Sequence, residues 1–340
     1  MKRYLIPEEG KFYKANLHSH STVSDGELTP EEMKKLYMDN GYSIIAYTDH
    51  NHFVTHNELS DEKFLALNGV ENAADEHGKP QFFDRCCDVC YIALSPDRKL
   101  HPFQNENDVQ GDGEYSPFKV EYCTKDVNMM IASGTKNGFF VTYNHPTWSL
   151  EDYERYMTYE GMHAMEIFNF SSSVDGYDEY NPEIYDNILR SGKRIFCIAT
   201  DDNHNRAPNT CHWDSFGGWT MIKAPSLKYE DVTNALKNGH FYSSRGPKIE
   251  ALWLDTSDYS VHVKCSDVVK MVCTRGGRRC RAVYAKEHGV EALNEMKFSI
   301  NKDDIYFRIT IFDKDGMTAD TNAYFVDTLD VDFSANIFVE

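Results

Sequence analysis

Residues 16–26 read NLHSHSTVSDG and place two histidines, one residue apart, at the end of a short segment with strand character. Residues 14–17 predict the strand, and His18, Ser19 and His20 follow it. Successive side chains of an extended chain point to opposite faces, so the two imidazoles point in the same direction. Imidazole nitrogens suit zinc, manganese or iron. The stretch therefore predicts a strand that ends in a pair of metal-binding histidines.

Strand and helix segments alternate through the first two-thirds of the chain. A helix is predicted to begin at Thr29-Pro30, with Thr29 as the N-cap and Pro30 in the first helical position, and to end at Asn40-Gly41. The strands predicted after it cover residues 42–47, 64–70, 138–143, 163–168, 194–200 and 218–222. Alternation of this kind predicts a parallel α/β sheet, either open or closed into a barrel.

Residue types that bind metals follow most of these strands. The clusters are His18-Ser19-His20 with Asp25, Asp49-His50-Asn51-His52, Glu71, Asn144-His145, Glu166 with Asn169, and Asp201-Asp202-Asn203-His204. Catalytic groups of parallel barrels gather at the carboxyl ends of the strands. Any one histidine could be an ordinary core or surface residue, and Asp25 before Gly26 is also good turn chemistry. Six clusters at strand ends together favour a metal centre.

The composition is that of a folded globular protein that does not read nucleic-acid sequence. Apolar residues make up 41% and charged residues 26% of the chain. The 35 Lys and Arg against 54 Asp and Glu give a net charge of −19, which repels polyanions. A small anionic substrate remains compatible with this charge, because bound divalent cations reverse the local field.

The chain carries no marker of secretion or of membrane insertion. Its first residues lack the apolar run of a signal peptide, and no segment reaches the roughly 18–20 apolar residues that a membrane helix requires. The nine cysteines are odd in number and scattered, which favours reduced thiols. We therefore expect a cytoplasmic protein without a membrane partner.

Two regions depart from the alternating pattern. Residues 72–125 form a polar insertion with a short strand near residues 90–94, and residues 247–340 contain short β segments separated by Asp-Gly and Gly-Gly turns. We expect a barrel domain over residues 1–246 and a small antiparallel, sandwich-like domain over residues 247–340. The insertion also contains a CxxC, Cys87 to Cys90, for which a structural metal site with Cys123, His101 or His77 is the less favoured interpretation.

The stretches NLHSHSTVSDGELTPEE, GYSIIAYTDHN, GVE and NHP and the late Asp/His cluster resemble, in order, the motifs of the PHP family, named for its polymerase and histidinol phosphatase members. The resemblance covers residues 14–246, and FYSSRGP and DGMTADTNAYFV look like stand-alone bacterial members. It implies a distorted seven-stranded β/α (TIM-like) barrel that holds two or three divalent ions of zinc, manganese or iron. It also implies a hydrolase, most commonly of phosphate esters.

The same resemblance implies a set of metal ligands: His18, His20, Asp25, His50, Glu71, His145 and His204. Glu166 lies where some members have one more ligand, and it could equally support a ligand from behind. The last motif leaves two alternatives, because members often show Asp-x-His there. Counting back from His204 selects Asp202, whereas counting forward from the strand selects Asp201.

A mechanism follows from such ligands, in which a metal-activated water attacks phosphorus. Asp49 and His52 are candidates for the general acid or for support of the ligands. Arg206 could grip a phosphate, with Asn169 and Arg245 as further candidates for substrate binding. The expected substrate is a small phosphorylated metabolite or nucleotide. Stacking of a nucleobase on Trp148, His212 or Trp213 is possible, although loop packing is the favoured role of these residues.

Two other functions fit parts of the sequence. A metal-activated water also attacks carbonyl groups, so an amidohydrolase-type C–N hydrolase is the first alternative. Such barrels often carry a carbamylated lysine, and no lysine lies in a strand-end cluster, which favours phosphate esters. A non-catalytic, metal-stabilised interaction module is the second alternative, and the ligand set, which lacks none of the expected residues, disfavours it.

Overall fold

A computed structural model describes residues 1–78, 83–104, 120–331 and 333. Its helices are α1 (Pro30–Asp39), α2 (Thr124–Lys136), α3 (Tyr153–Tyr156), α4 (Phe170–Val174), α5 (Pro182–Arg190) and α6 (Tyr229–Lys237). Its strands are β1 (Lys2–Tyr4), β2 (Lys11–Asn16), β3 (Ile44–Tyr47), β4 (Leu65–Asp75), β5 (Cys86–Ala93), β6 (Phe139–Tyr143), β7 (Ala164–Asn169), β8 (Phe196–Thr200), β9 (Trp219–Ala224), β10 (Phe241–Ser244), β11 (Ile249–Asp255), β12 (Ser260–Val268), β13 (Lys270–Arg275), β14 (Arg281–Tyr284), β15 (Leu293–Ser299), β16 (Tyr306–Phe312), β17 (Thr318–Thr321) and β18 (Tyr324–Phe325).

Helix α1 shows how the local sequence sets an element that borders the site. The Thr29 hydroxyl accepts a hydrogen bond from the Glu32 amide at 3.2 Å, and the Glu32 carboxylate accepts one from the Thr29 amide at 2.9 Å. This capping box and Pro30 confirm the predicted helix start. Met33 and Tyr37 lie on the buried face of the helix. The apolar side of α1 therefore packs on the sheet.

The fold is mixed α/β, with most strands in one large sheet. The order of this 14-stranded sheet is β14-β13-β16-β17-β10-β9-β2-β3-β4-β5-β6-β7-β8, and β18 pairs with β16. The pairs β2/β3, β3/β4, β6/β7 and β7/β8 are parallel, as predicted. Strand β5 of the insertion lies antiparallel between β4 and β6. The described part of the insertion thus contributes a strand to the sheet, and residues 79–82 and 105–119 lie outside the described residues.

A closed seven-stranded barrel is not confirmed. Across the described residues, the backbone ladder leaves β8 and β9 unpaired with each other. The side chain of Thr220 bridges the two strands instead, because its hydroxyl accepts from the Ala199 amide at 3.3 Å and donates to the Ala199 carbonyl at 3.0 Å. The two strands are neighbours in space, but side-chain hydrogen bonds replace the ladder that would close a barrel.

The C-terminal strands enclose a hydrophobic core of their own. The sheet β1-β11-β12-β15 contributes Leu252, Val261 and Val263 to this core, and the large sheet contributes Met271 and Ile309. The β-rich character predicted for residues 247–340 agrees with antiparallel pairing of all the strands from β11 onward. Pairing also crosses residue 247, since β1 joins β11 and β10 joins β17. The division into two domains at this residue stays a prediction.

No helix in the described ranges combines the length and the apolar composition needed to cross a bilayer.

A buried ion network joins the C-terminal strands to α5. Arg308 on β16 is 3% exposed and donates from Nε and Nη2 to the two Asp186 carboxylate oxygens, at 3.0 and 2.9 Å. Its Nη1 donates to Asp320 Oδ1 at 3.2 Å. Each buried charge is thereby paired, which a low-dielectric interior requires.

We predict that Arg308→Met lowers the free energy of unfolding by about 3–5 kcal/mol, because two buried carboxylates lose their cation. The measurement is urea unfolding followed by circular dichroism. Lys314→Met is the matched control, since Lys314 pairs with Asp315 on the surface, and we expect a change within about 0.5 kcal/mol. Equal small losses in both variants would contradict a stabilising role for the network.

Candidate metal centre

The two histidines that follow β2 point to the same side, as period-two alternation predicts. Their Nε2 atoms lie 3.1 Å apart, and both side chains are buried. Ser19 between them points away, and its hydroxyl donates to the Ala46 carbonyl of β3 at 2.8 Å. The Ser19 amide also donates to Thr48 Oγ1 at 3.0 Å. Contacts with β3 therefore fix the backbone that carries His18 and His20.

His18 and His20 form an inner group with Glu71 and Asp202. His18 Nε2 lies 3.1 Å from both Glu71 Oε2 and Asp202 Oδ1. His20 Nε2 lies 3.4 Å from Glu71 Oε2 and 2.9 Å from Asp202 Oδ1. Ligand atoms about 2.1 Å from one tetrahedral ion lie about 3.4 Å from one another. The four side chains therefore fit a single divalent ion such as zinc.

An outer group consists of His20, Asp25, His50 and His204. Asp25 Oδ1 lies 4.0 Å from His20 Nδ1, 3.8 Å from His50 Nε2 and 3.5 Å from His204 Nε2. His20 Nδ1 is buried and makes no hydrogen bond within the described part of the chain. An unpartnered buried nitrogen is costly, and a cation beside Asp25 would satisfy it. The group therefore fits a second divalent ion.

A third group includes Asp88, which the sequence analysis missed. His145 Nε2 lies 3.5 Å from Glu71 Oε1 and 3.7 Å from Asp88 Oδ2, and the three side chains are buried. Asp88 lies on β5, between the two cysteines of the CxxC. Strand alternation could have identified it, because Asp88 and Cys90 are two residues apart and point to the same face of β5. The group could hold a further ion.

Glu166 stands behind two of the histidines. Its Oε1 lies 2.8 Å from His18 Nδ1, and its Oε2 accepts a hydrogen bond from the His145 amide at 2.9 Å. Thr200 Oγ1 donates to the same carboxylate at 2.7 Å. A carboxylate in this position fixes the tautomer and the orientation of a metal-binding imidazole. Glu166 also forms, with His18 and His145, a buried group that could hold an ion, so both the ligand role and the orienting role stay open.

The structure separates the two aspartates that the sequence left open. Asp202 joins the inner group, whereas the Asp201 carboxylate turns away. Asp201 accepts hydrogen bonds from the Phe216, Gly217 and Gly218 amides, each at 2.9 Å, and from the Tyr37 hydroxyl at 2.9 Å. Burial raises the pKa of Asp201 to about 6, and the Gly218 and Phe216 amides oppose the rise. Asp201 as a metal ligand is therefore not what the structure shows, because these amides and the Tyr37 hydroxyl hold its carboxylate away from the inner group.

Several other candidates lie where they support the fold. Asp49 accepts hydrogen bonds from the Ser21 amide at 2.7 Å and the Ser24 amide at 3.1 Å, which commits its carboxylate to the loop after His20. Arg245 stacks over Phe168 with 4.7 Å to the ring centroid. Neither residue lines the cavity described below. The contacts of Asp49 agree with support of the ligands, and the catalytic role of Asp49 and the substrate contact of Arg245 stay predictions.

Asn169 contacts other protein groups, and the role of His52 stays a prediction. Asn169 Nδ2 donates to Glu166 Oε2 at 2.9 Å and to Asp202 Oδ2 at 3.1 Å, so it positions carboxylates within the protein. Within the described ranges, His52 belongs to no candidate metal group and does not line the cavity. Contact with a substrate is therefore not indicated for either side chain.

A cavity of about 360 Å³ opens over the three groups. It is lined by Asp25, His50, Glu71, Asp88, His145, Trp148, Ser171, Ser172, Val174, Asp175, Asp202, His204, Arg206, Ala207, His212 and Asp214. This volume is typical of a site for a small molecule. Side chains of the candidate metal groups form one part of its wall, so a bound molecule would lie against them.

Carboxylates dominate the field at the inner histidines. Burial alone would lower the pKa of His18, but Asp202, Glu71 and Glu166 raise it well above its ordinary value. Burial likewise opposes the rise for His20, yet hydrogen bonds with Asp202 and Glu71 raise its pKa to about 9. The field that favours a proton on these imidazoles also favours a metal cation in the same place.

The outer histidines behave in the opposite way. Burial lowers the pKa of His50 and of His204, the latter to about 4 with help from His20. Their imidazoles are therefore neutral near pH 7, which is the form that binds metals. The inner group thus provides a negative field that attracts a cation, and the outer group provides neutral imidazoles that can bind one.

The CxxC does not form a metal site. All nine cysteines are free, and the candidate metal groups of the described residues include no cysteine. Cys90 Sγ lies 3.1 Å from Asn144 Nδ2 beside the inner group, while Cys87 belongs to the hydrophobic core. Strand alternation sends the two thiols to opposite faces of β5, so they cannot share an ion.

Comparisons with known proteins give structural similarities at low identity. No family model and no curated protein matches the chain. A two-domain protein from Bacteroides vulgatus, described as containing a predicted PHP-like metal-dependent phosphoesterase, is 14% identical over 95% of this chain and 98% of its own, with a TM-score of 0.45. A Bifidobacterium adolescentis protein, named as a candidate metal-dependent phosphoesterase, is 13% identical over 60% of this chain and 91% of its own, with a TM-score of 0.39.

A third similar structure carries a different name. It is an amidohydrolase from Chromobacterium violaceum with bound sulfate and no metal, 15% identical over 58% of this chain and 90% of its own, with a TM-score of 0.39. PHP-like metal-dependent phosphoesterases are thus among the solved structures that the chain resembles, one of them over nearly the full length. At these identities and TM-scores, the roles of individual side chains rest on the geometry above.

We predict that Asp202→Asn strongly reduces the metal content of the purified protein, because the inner group loses a charged oxygen ligand. Asp201→Asn is the matched control and should retain the metal while losing stability. The measurement is elemental analysis after dialysis against manganese or zinc. Equal metal contents in the two variants would show that Asp202 is not a ligand.

Proposed function

We propose that the chain is a metal-dependent phosphoesterase that hydrolyses small phosphorylated molecules. The observation that carries this proposal is the sharing of side chains among the three groups, since His20 belongs to two of them and Glu71 to two. Shared carboxylates and imidazoles place divalent ions side by side, as two-metal hydrolases require. Two or three ions of zinc, manganese or iron fit these ligands.

Each of the three groups would hold one ion. His18, His20, Glu71 and Asp202 would hold one ion, Asp25, His50 and His204 a second, and Asp88 with His145 a third. When bound, such ions supply Lewis acidity and a water that is nucleophilic near neutral pH. The protein itself orients the ligands through Glu166 and Asn169 and encloses the reacting group in the cavity.

Arg206 is the side chain best placed to bind a phosphoryl oxygen. It lines the cavity and its side chain is 56% exposed. Its Nη2 donates to Asp25 Oδ2 at 2.7 Å and to the Asp25 carbonyl at 3.2 Å. Both contacts use one nitrogen, which leaves Nε and Nη1 to donate to an anion.

The cavity wall also favours phosphate esters over C–N bonds. Lysine is absent from its lining within the described residues, so a carbamylated lysine cannot bridge ions there. A guanidinium at the rim complements a phosphate dianion more strongly than a neutral amide. We therefore place C–N hydrolysis second, and a non-catalytic role last.

The decisive experiment combines metal reconstitution with substrate panels. The chelated protein is reloaded with manganese, zinc or iron(II) and offered aryl phosphates, phosphodiesters, amides and lactams. His20→Ala should abolish both metal binding and turnover, while His288→Ala should leave them unchanged, because His288 is exposed and belongs to no candidate metal group of the described residues. Turnover of amides or lactams alone would overturn the proposed substrate class, and metal binding with no turnover would support an interaction module.

We further predict that Arg206→Ala raises KM for a phosphate ester about 10- to 100-fold, the loss expected for hydrogen bonds to a charged group. Metal content should remain unchanged, because Arg206 contacts Asp25 from outside the donor set. Arg206→Lys should retain part of the affinity, since it keeps the charge but loses the planar fork. An unaltered KM in Arg206→Ala would exclude the proposed phosphate contact.

A further inference from the structure

The part of the cavity wall away from the metal-binding groups has a different chemistry. It carries the indole of Trp148, the hydroxyl-bearing Ser171 and Ser172 of α4, the Asp175 carboxylate and His212. No candidate metal group of the described residues includes any of these side chains. A molecule whose phosphate reaches the ions would therefore extend its remaining atoms along this wall.

Trp148 is an exposed aromatic residue on a firmly held backbone. Its side chain belongs to the few large apolar groups that are exposed, with a relative accessibility of 39%. Its amide donates to Glu179 Oε2 at 2.7 Å, and the neighbouring Thr147 amide donates to Glu179 Oε1 at 3.0 Å. Glu179 itself is buried. These hydrogen bonds thus hold the backbone that carries the indole in place.

The indole lies directly beside a candidate metal ligand. Its ring centroid is 5.1 Å from that of His145, with an angle of 82° between the rings. In this edge-to-face contact the imidazole covers only part of the indole. The rest of the indole lines the cavity. A ring attached to a phosphate near His145 could therefore contact the indole, whose centroid lies 5.1 Å from that of His145.

Loop packing alone does not account for this placement. The exposed part of the ring gains no packing energy from the loop, because that energy comes from buried area. An aromatic face at a cavity wall can stack on a planar ring of a bound molecule. The hydroxyls and the carboxylate along the same wall can hydrogen-bond polar substituents of a ring.

We propose that Trp148 forms a subsite for a planar ring, so that the preferred substrates are phosphate esters whose leaving group carries an aromatic or heteroaromatic ring. The hydrolysis of such esters rests on the proposed phosphoesterase function, whereas the binding of a ring by Trp148 does not depend on it. The cavity volume of about 360 Å³ suits a ring and a phosphate within one small molecule.

Two phosphonates that differ only in the ring test the subsite without turnover. Phenylphosphonate and methylphosphonate are titrated into the manganese-loaded protein by calorimetry. The wild type should bind phenylphosphonate about tenfold or more tightly than methylphosphonate, the scale of an aromatic stacking contact. Trp148→Ala should remove this difference and leave the affinity for methylphosphonate unchanged, while Trp148→Phe should keep most of it.

Tyr153→Ala provides the matched control, because Tyr153 is 57% exposed on α3 and does not line the cavity. It should bind both phosphonates as the wild type does. Equal weakening of both ligands by Trp148→Ala would mean that Trp148 only supports His145 and would overturn the subsite. No ring preference in the wild type would overturn it too. A ring preference in a protein that hydrolyses no phosphate ester would support the subsite and refute the proposed reaction.

Discussion

The concentration of buried carboxylates around His18 and His20 is the constraint on which the rest of the structure depends. Glu71, Asp202 and Glu166 approach these imidazoles within hydrogen-bonding distance, and all are removed from water. Like charges buried this closely repel one another unless cations or donors compensate them. The surrounding fold supplies part of that compensation through neutral amides and hydroxyls such as Asn144, Asn169 and Thr200. Divalent cations would supply the remainder.

Sheet topology explains how distant segments deliver their groups to one place. The carboxyl ends of β2, β4, β7 and β8 lie at one edge of the sheet, since neighbouring strands in these runs are parallel. Strand β5 runs the other way, so its beginning, rather than its end, lies at that edge. Asp88 therefore reaches the site from the first half of its strand, and a search confined to residues that follow strands passes over it.

Much of the fold and site could be predicted from sequence wherever a local rule applied. Period-two alternation placed His18 and His20 together, and the Thr29 cap fixed the start of α1. Alternation could not choose between Asp201 and Asp202, because the choice depends on a backbone turn at Asp202, where φ is 53°. It also could not show that Asp49 is consumed by the amides of its neighbouring loop. The sequence also could not show whether β8 and β9 form a backbone ladder, because the character of each strand does not determine its partner.

The loop that carries His145 shows how much of the site geometry is set from a distance. His145 has a positive φ of 24°, a conformation that the surrounding contacts must hold in place. On one side Glu179 binds the amides that follow His145. The next residue, Tyr180, donates from its hydroxyl to Asp320 of β17 at 3.1 Å. Asp320 in turn pairs with Arg308 of β16. The C-terminal strands thus support the segment that holds His145 in place. They contribute in this way to the geometry of the candidate metal centre, although none of the described residues of these strands lines the cavity.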